Sequence, residues 1–151
     1  MGENGLTGGC PCGAVRYRLD ALPTDANICH CRMCQKALGS PFGAFAAVPI
    51  DRLTFTRGAP KFYRSSAIAE RGFCPDCGTP LTYSGLNSPR VSVTICSLDE
   101  PEAVAPTSQL DADNALTWLG ACLTTPNTQV ADWLKSKQVA DIASRQHPDH
   151  N

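Results

Sequence analysis

From Ala14 onward Val15, Tyr17 and Leu19 face one side of the chain and Arg16 and Arg18 the other, the period-two pattern of a half-buried strand. Residues 6–12, before it, are glycine-rich. Residues 20–28, after it, contain Pro23, Thr24, Asp25 and Asn27 and read as a loop. Residues 35–39 leave room for one helical turn at most before Gly39 and Pro41 stop it. The apolar run 42–48, confined between Pro41 and Pro49, is too short for a helix and reads as a buried strand.

Short strands are predicted at 53–56, 61–65, 69–73 and 80–84, the first two joined by an Arg57-Gly58-Ala59-Pro60 turn. Val91, Val93 and Ile95 then alternate with Ser92, Thr94 and Cys96 in a further strand. The connections are too short for helical crossovers, so the class is mainly β and the pairing antiparallel by default. Beyond residue 98 the pattern weakens, and Trp118 and Leu119 call for a packing partner. Over residues 129–143 Val130, Trp133, Leu134, Val139 and Ile142 nearly share one face, which predicts a C-terminal helix capped by Asn127 or Thr128. The polar tail carries His147 and His150, which read as solvated rather than ligating. One domain over residues 1–125, with a helical extension and tail over 126–151, accounts for the pattern.

A chain of 151 residues can bury one core. Its formal net charge is −1 with both signs mixed along the sequence, which offers no phosphate-binding stripe and no polybasic membrane patch. No apolar run approaches membrane-spanning length, and the first residues are too polar for a secretory segment, so the chain reads as soluble and cytoplasmic.

Cysteine changes the picture more than charge does. There are 9 cysteines, an odd number, in Cys-x-Cys and Cys-x-x-Cys arrangements, which in a reducing compartment point to metal ligands rather than a disulfide framework. A thioredoxin-like reading of Cys74-Pro75-Asp76-Cys77 needs a following helix that the sequence lacks. Cys10-Pro11-Cys12-Gly13 and Cys74-Pro75-Asp76-Cys77-Gly78 both close on glycine, which lets a turn aim backbone N–H groups at sulfur. They read as two halves of a four-thiolate site, for which zinc and iron are both suited donors' partners; the alternative is four buried core cysteines.

Cys29-His30-Cys31-Arg32-Met33-Cys34 is different: three thiols with cationic neighbours, one ligand short of a closed tetrahedron. Closure by Cys96 or His30 would make this site structural, although His30, between two ligands, is expected to point away. Cys96 and Cys122 each stand alone in small or apolar surroundings and read as ordinary buried cysteines.

Three stretches carry a resemblance: Gly8-Gly9-Cys10-Pro11-Cys12-Gly13-Ala14-Val15-Arg16-Tyr17, then Cys29-His30-Cys31-Arg32-Met33-Cys34-Gln35-Lys36, then Phe73-Cys74-Pro75-Asp76-Cys77-Gly78-Thr79-Pro80-Leu81. Looser agreement runs through Ser97-Leu98-Asp99-Glu100-Pro101, Pro106 and Trp118, so that residues 5–120 are covered. In these the chain resembles the glutathione-dependent formaldehyde-activating enzymes and the related domain of centromere protein V. The resemblance implies a β-tent fold of small antiparallel sheets stapled by zinc, with a structural ion on Cys10, Cys12, Cys74 and Cys77 and a catalytic-type ion on Cys29, Cys31 and Cys34. It further implies a carbon–sulfur lyase that forms a hydroxymethyl thioether from glutathione and formaldehyde. Gln109 stands where family members often carry a histidine.

The function expected from the sequence is therefore zinc-assisted making or breaking of a C–S bond on a small thiol adduct. Cys29, Cys31 and Cys34 form its catalytic centre, Arg32 and Lys36 meet the carboxylates of glutathione, and Phe42 walls the pocket. A zinc-dependent thiol-binding module without turnover is the alternative. Nucleic-acid binding, by analogy with the centromere relative, finds no support in the charge balance.

Overall fold

The computed structural model describes residues 5–140 and 142–150; the polar residues 1–4 read above lie outside the described residues. Ten strands and three short helices follow in the order β1 Leu6–Gly9, β2 Arg16–Leu19, β3 Asp25–Cys29, α1 Arg32–Leu38, β4 Gly43–Pro49, β5 Leu53–Arg57, β6 Lys61–Arg64, β7 Ala69–Phe73, β8 Pro80–Gly85, β9 Arg90–Thr94, β10 Ser108–Leu110, α2 Leu119–Cys122 and α3 Val130–Ser136. They form a three-stranded sheet, β1-β2-β5, and a seven-stranded sheet, β10-β3-β4-β9-β8-β7-β6. The mainly β class expected from the alternation is what the chain adopts.

The register explains where the core lies. Ala46 pairs with Val93, Val48 with Val91 and Val93 with Thr82, so these residues share one face of the large sheet. That face packs against Tyr17 and Leu19 of β2, with Val15, Leu81 and Ile95 completing the main core. Tyr17 is fully buried and its hydroxyl donates to Ser97 Oγ at 2.7 Å, which satisfies the polar tip of an otherwise apolar residue. The small sheet is tied to the large one by a bridge between Gly8 and Leu98 and by the Asp99 N–H donating to Thr7 O at 2.9 Å.

Several expectations are corrected. Residues 25–28 of the expected loop belong to a strand, because β3 pairs on both sides, with β4 and with β10. The β10 pairing is parallel, the exception to the antiparallel rule, reached through the long connection after β9. The turn at 57–60 does not close a hairpin: β5 joins the small sheet and β6 the large one. Arg16 is buried rather than outward-facing, because it forms an ion pair with Asp99, itself 7% exposed.

The C-terminal helix exists but stops at Ser136, with Val139 and Ile142 beyond it. Its N-cap is Gln129, with no side-chain cap bond, not Asn127 or Thr128. Val130, Trp133 and Trp118 are 65%, 49% and 51% exposed, so none of these large side chains joins the buried core of the described residues. Cys96 and Cys122 are exposed too, contrary to the expectation of burial. The tail turns back: the His147 N–H donates to Pro11 O at 2.6 Å, and Arg57 Nη1–H donates to Gly13 O and to His147 Nε2, both at 3.2 Å. No helix among the described residues is long and apolar enough to cross a membrane.

Two candidate metal centres

Cys10 and Cys12 lie between β1 and β2, and Cys74 and Cys77 between β7 and β8. Each pair occupies a tight turn of the same construction. The Gly13 N–H donates to Cys10 O at 3.0 Å and the Gly78 N–H to Cys74 O at 2.9 Å. Both glycines are left-handed, φ 76 at Gly13 and 77 at Gly78, a conformation that side-chain-bearing residues avoid. The Val15 N–H donates to Cys10 Sγ at 3.2 Å, so backbone dipoles point at sulfur as the glycine turns predict.

The four sulfurs lie within 4.8 Å of one another, with Cys10 and Cys12 3.4 Å apart and Cys12 and Cys74 3.7 Å apart. A tetrahedron with metal–sulfur bonds of about 2.3 Å separates its sulfurs by about 3.8 Å, so the set fits one thiolate-bound ion. The protonation pattern points the same way. Burial raises the Cys77 thiol, but the Thr79 hydroxyl and N–H together with the Cys12 and Cys74 sulfurs lower it to about 6. The Ala14 N–H favours the Cys12 thiolate, yet contacts with Cys10, burial and the other sulfurs leave that thiol raised to about 12. The sulfurs are close enough to titrate as a coupled set, and a bound cation favours the thiolate form of all four.

The second group stands on the opposite face of the large sheet. Cys29 ends β3, Cys31 caps α1, and Cys34 lies in the first turn of that helix, where its N–H donates to Cys31 Sγ at 3.3 Å. The three sulfurs lie within 4.8 Å of one another, and no other Cys, His, Asp or Glu joins them among the described residues. His30 is turned away: its Nε2–H donates to Gln109 Oε1 at 2.9 Å, and its ring meets Phe42 edge-on at 5.9 Å. Burial pushes the Cys29 thiol up to about 12 against the pull of the Cys31 N–H, the behaviour of a crowded thiol that a cation would deprotonate.

Beside these thiols is a cavity of about 160 Å³. Its wall follows from strand parity: Arg71 pairs with Tyr83, Tyr83 with Ser92, and Asn27 with Phe45, all on the face away from the main core. Arg71 is buried, its Nη2–H donates to Cys34 Sγ at 3.4 Å, and its guanidinium carbon lies 4.9 Å from the centre of the Tyr83 ring.

Comparison with known proteins matches residues 5–112 to the family described as "Glutathione-dependent formaldehyde-activating enzyme". The chain belongs to this family. A Schizosaccharomyces pombe protein named as an uncharacterized lyase is 34% identical over 80 residues, which cover 53% of this chain and 58% of the relative. A Phaeosphaeria nodorum protein named "putative glutathione-dependent formaldehyde-activating enzyme" is 31% identical over 93 residues, 52% of this chain and 49% of the relative. The chain thus spans about half the length of the curated relatives it matches. A solved Rhodobacter sphaeroides structure superposes with a TM-score of 0.55 at 24% identity, covering 68% of this chain and 98% of that one, which shows the fold.

In this formaldehyde-activating family member one expected pocket residue, Phe42, stands elsewhere than predicted. Phe42 does not border the three-thiol cavity; it faces His30 and lines a separate cavity of about 440 Å³ with Cys96 and Asp99. Phe45, inside β4, takes the expected place, whereas Phe42 precedes the strand. Arg32 and Lys36 are exposed on α1 outside the cavity, and Arg32 donates to Gln35 Oε1 at 3.4 Å. The cation at the thiols is Arg71, which sequence reasoning missed. Its one signal is parity with Tyr83, legible only once β7 and β8 are in register.

Proposed function

We propose that the chain is a carbon–sulfur lyase-type enzyme of the cytoplasm that joins glutathione and formaldehyde, or a related electrophile, into a hydroxymethyl thioether. One observation carries this reading: three convergent thiols border a cavity and, among the described residues, acquire no fourth protein ligand. The family supports it at the level of reaction class. In this reading Cys10, Cys12, Cys74 and Cys77 hold a structural zinc, and Cys29, Cys31 and Cys34 a second zinc of catalytic type. When bound there, zinc supplies Lewis acidity that lowers the pKa of an incoming thiol and polarises an aldehyde oxygen.

The chain's own residues do the rest. Phe45, Tyr83 and Met33 exclude bulk water from the reacting end. The substrate sulfur bonds to the carbonyl carbon, the carbonyl π pair moves to oxygen, and the proton lost by the thiol ends on that oxygen, with no change of oxidation state. At about 160 Å³ the cavity is smaller than the ~300 Å³ at which ordinary small-molecule pockets begin, so it suits the thiol end and not the whole tripeptide. Arg32 and Lys36, outside it on α1, remain available to the glutathione carboxylates.

The test is exchange spectroscopy on zinc-loaded protein with glutathione and formaldehyde. Acceleration over the uncatalysed addition is expected. Glutathione binding without acceleration would leave a thiol-binding module, and neither would remove the reading altogether.

A further inference from the structure

The two buried arginines of the chain are treated differently. Arg16 is paired with the carboxylate of Asp99. Arg71, 9% exposed, has no carboxylate partner among the described residues; its one side-chain hydrogen bond goes to the Cys34 sulfur, and its Nε has no acceptor. A guanidinium carries five N–H donors in a rigid fork, and a buried charge without an opposite charge is costly. A fold keeps such a group where an anion belongs. Thiolates at Cys29, Cys31 and Cys34 supply part of that charge, and only one of the three accepts from Arg71 in the described structure.

Place and orientation narrow the remainder. Tyr83, on which the guanidinium lies, restricts its plane. Arg71 borders the cavity together with all three thiols and also contacts one of them, so a ligand sulfur held at the thiols brings its neighbouring atoms within reach of the fork. Ser65, Ser66 and Ser92 line the same cavity and carry no charge, which leaves Arg71 as its cation.

We propose that Arg71 is an oxyanion-recognising residue, selecting thiols that carry an oxygen anion within two carbons of sulfur. For the adduct of the preceding section, on which this inference rests, that oxygen is the one that receives the carbonyl π pair. Arg71 holds its charge until the proton arrives, and by donating to Cys34 it keeps the thiolate set from repelling it.

The test needs no turnover. The full chain is loaded with cobalt(II), metal content is measured, and the visible absorption of the ion is followed while thioglycolate or ethanethiol is added. Wild type is expected to bind thioglycolate about tenfold or more tightly than ethanethiol, as a charge-assisted hydrogen bond requires. Arg71→Met should abolish that preference, read as the ratio of the two affinities in the same protein, and Arg71→Lys should retain part of it. Equal affinities in wild type, or a preference that survives in Arg71→Met, overturn the inference while leaving the thiol-binding reading intact. If neither thiol perturbs the spectrum of metal-loaded wild type, the thiol-binding reading itself fails, and the inference with it. Should Arg71→Met not fold, the wild-type ratio and Arg71→Lys decide.

Discussion

Cys74 has no solvent exposure and lies in the main core with Val15, Tyr17 and Leu81, whereas Cys34, on the opposite face of the same sheet, packs in a small cluster with Cys29 and Phe45. The charge of the first set is met by backbone N–H groups in two glycine turns; that of the second is met by backbone N–H groups at the start of α1 and by one buried arginine beside a cavity. Losing an ion from the first would release two segments 62 positions apart from the core they help close. Losing one from the second would leave β3 paired on both sides and α1 still bounded by Gly39, left-handed at φ 58. The proposed division into a structural and a reactive site rests on more than four thiols against three. It rests also on what the sulfurs are packed against.

The strongest attempt to break this contrast is Cys74→Ser beside Cys31→Ser. A thiolate-bound structural ion contributes about 10 to 16 kcal/mol in small zinc modules, as much as the whole 5 to 15 kcal/mol of an ordinary domain. Cys74→Ser should therefore abolish the cooperative thermal transition in circular dichroism and lower bound zinc by one equivalent. Cys31→Ser should lose one equivalent and all activity, with Tm within about 5 °C of wild type. Equal collapse of both would show that the two faces are not energetically distinct.

A smaller effect is expected at the ion pair that anchors the first knuckle. Asp99 accepts from Arg16 and, at 2.5 Å, from Thr7 Oγ1, so it fastens β1 and β2 to the chain after β9. Asp99→Asn removes the negative charge facing a buried guanidinium, at a cost of about 3 kcal/mol, or about 10 °C in Tm for a chain of this size. Metal at Cys29, Cys31 and Cys34 should be retained. A Tm unchanged in a melt of the two proteins would mean that the pair contributes nothing net.

The division of the seven cysteines was legible because it rests on local spacing: a glycine closing a two-cysteine turn is a property of four or five consecutive residues. The strands at 42–48, 53–56, 69–73 and 80–84 were legible for the same reason. Pairwise facts were not. Arg71 meets Cys34 across 37 positions and Arg16 meets Asp99 across 83, and nothing in the neighbourhood of either arginine announces burial. The run 42–48 offers no alternation from which to read parity, so nothing local marks Phe45 as the residue that borders the thiols. Residues 25–28 resembled a loop because their strand character comes from two partners, one of them β10 some eighty residues on.

The two knuckle glycines sharpen the comparison within the four-thiol site. Alanine at either position must adopt positive φ, at a cost of about 1 kcal/mol. At Gly78 a Cβ meets nothing within 4 Å, but at Gly13 it runs into the His147 ring. Gly13→Ala should therefore lower stability by about 1 kcal/mol more than Gly78→Ala in urea melts, an ordinary cost for displacing packed groups. Removing residues 144–151 should erase the difference. If it persists without the tail, His147 is not what distinguishes the turns.

The smallest effect is expected on the other face, at Gln109. His30 is buried between two thiol-bearing residues, its carbonyl accepts from Gln35 Nε2 at 2.9 Å, and its ring donates to Gln109. Gln109→Leu removes that acceptor and should cost about 1 kcal/mol, the usual net value of one hydrogen bond. Because the lost contact steadies the turn between Cys29 and Cys31 without touching sulfur, metal affinity at the three-thiol site should fall several-fold, short of the 10- to 100-fold typical of groups that contact a ligand. Competition with a chromophoric chelator separates the outcomes: one equivalent should become easier to remove while the other is unchanged. Were both equivalents to loosen together, the two sites would share a support through β3 and the large sheet, and the independence argued from their opposite faces would be lost.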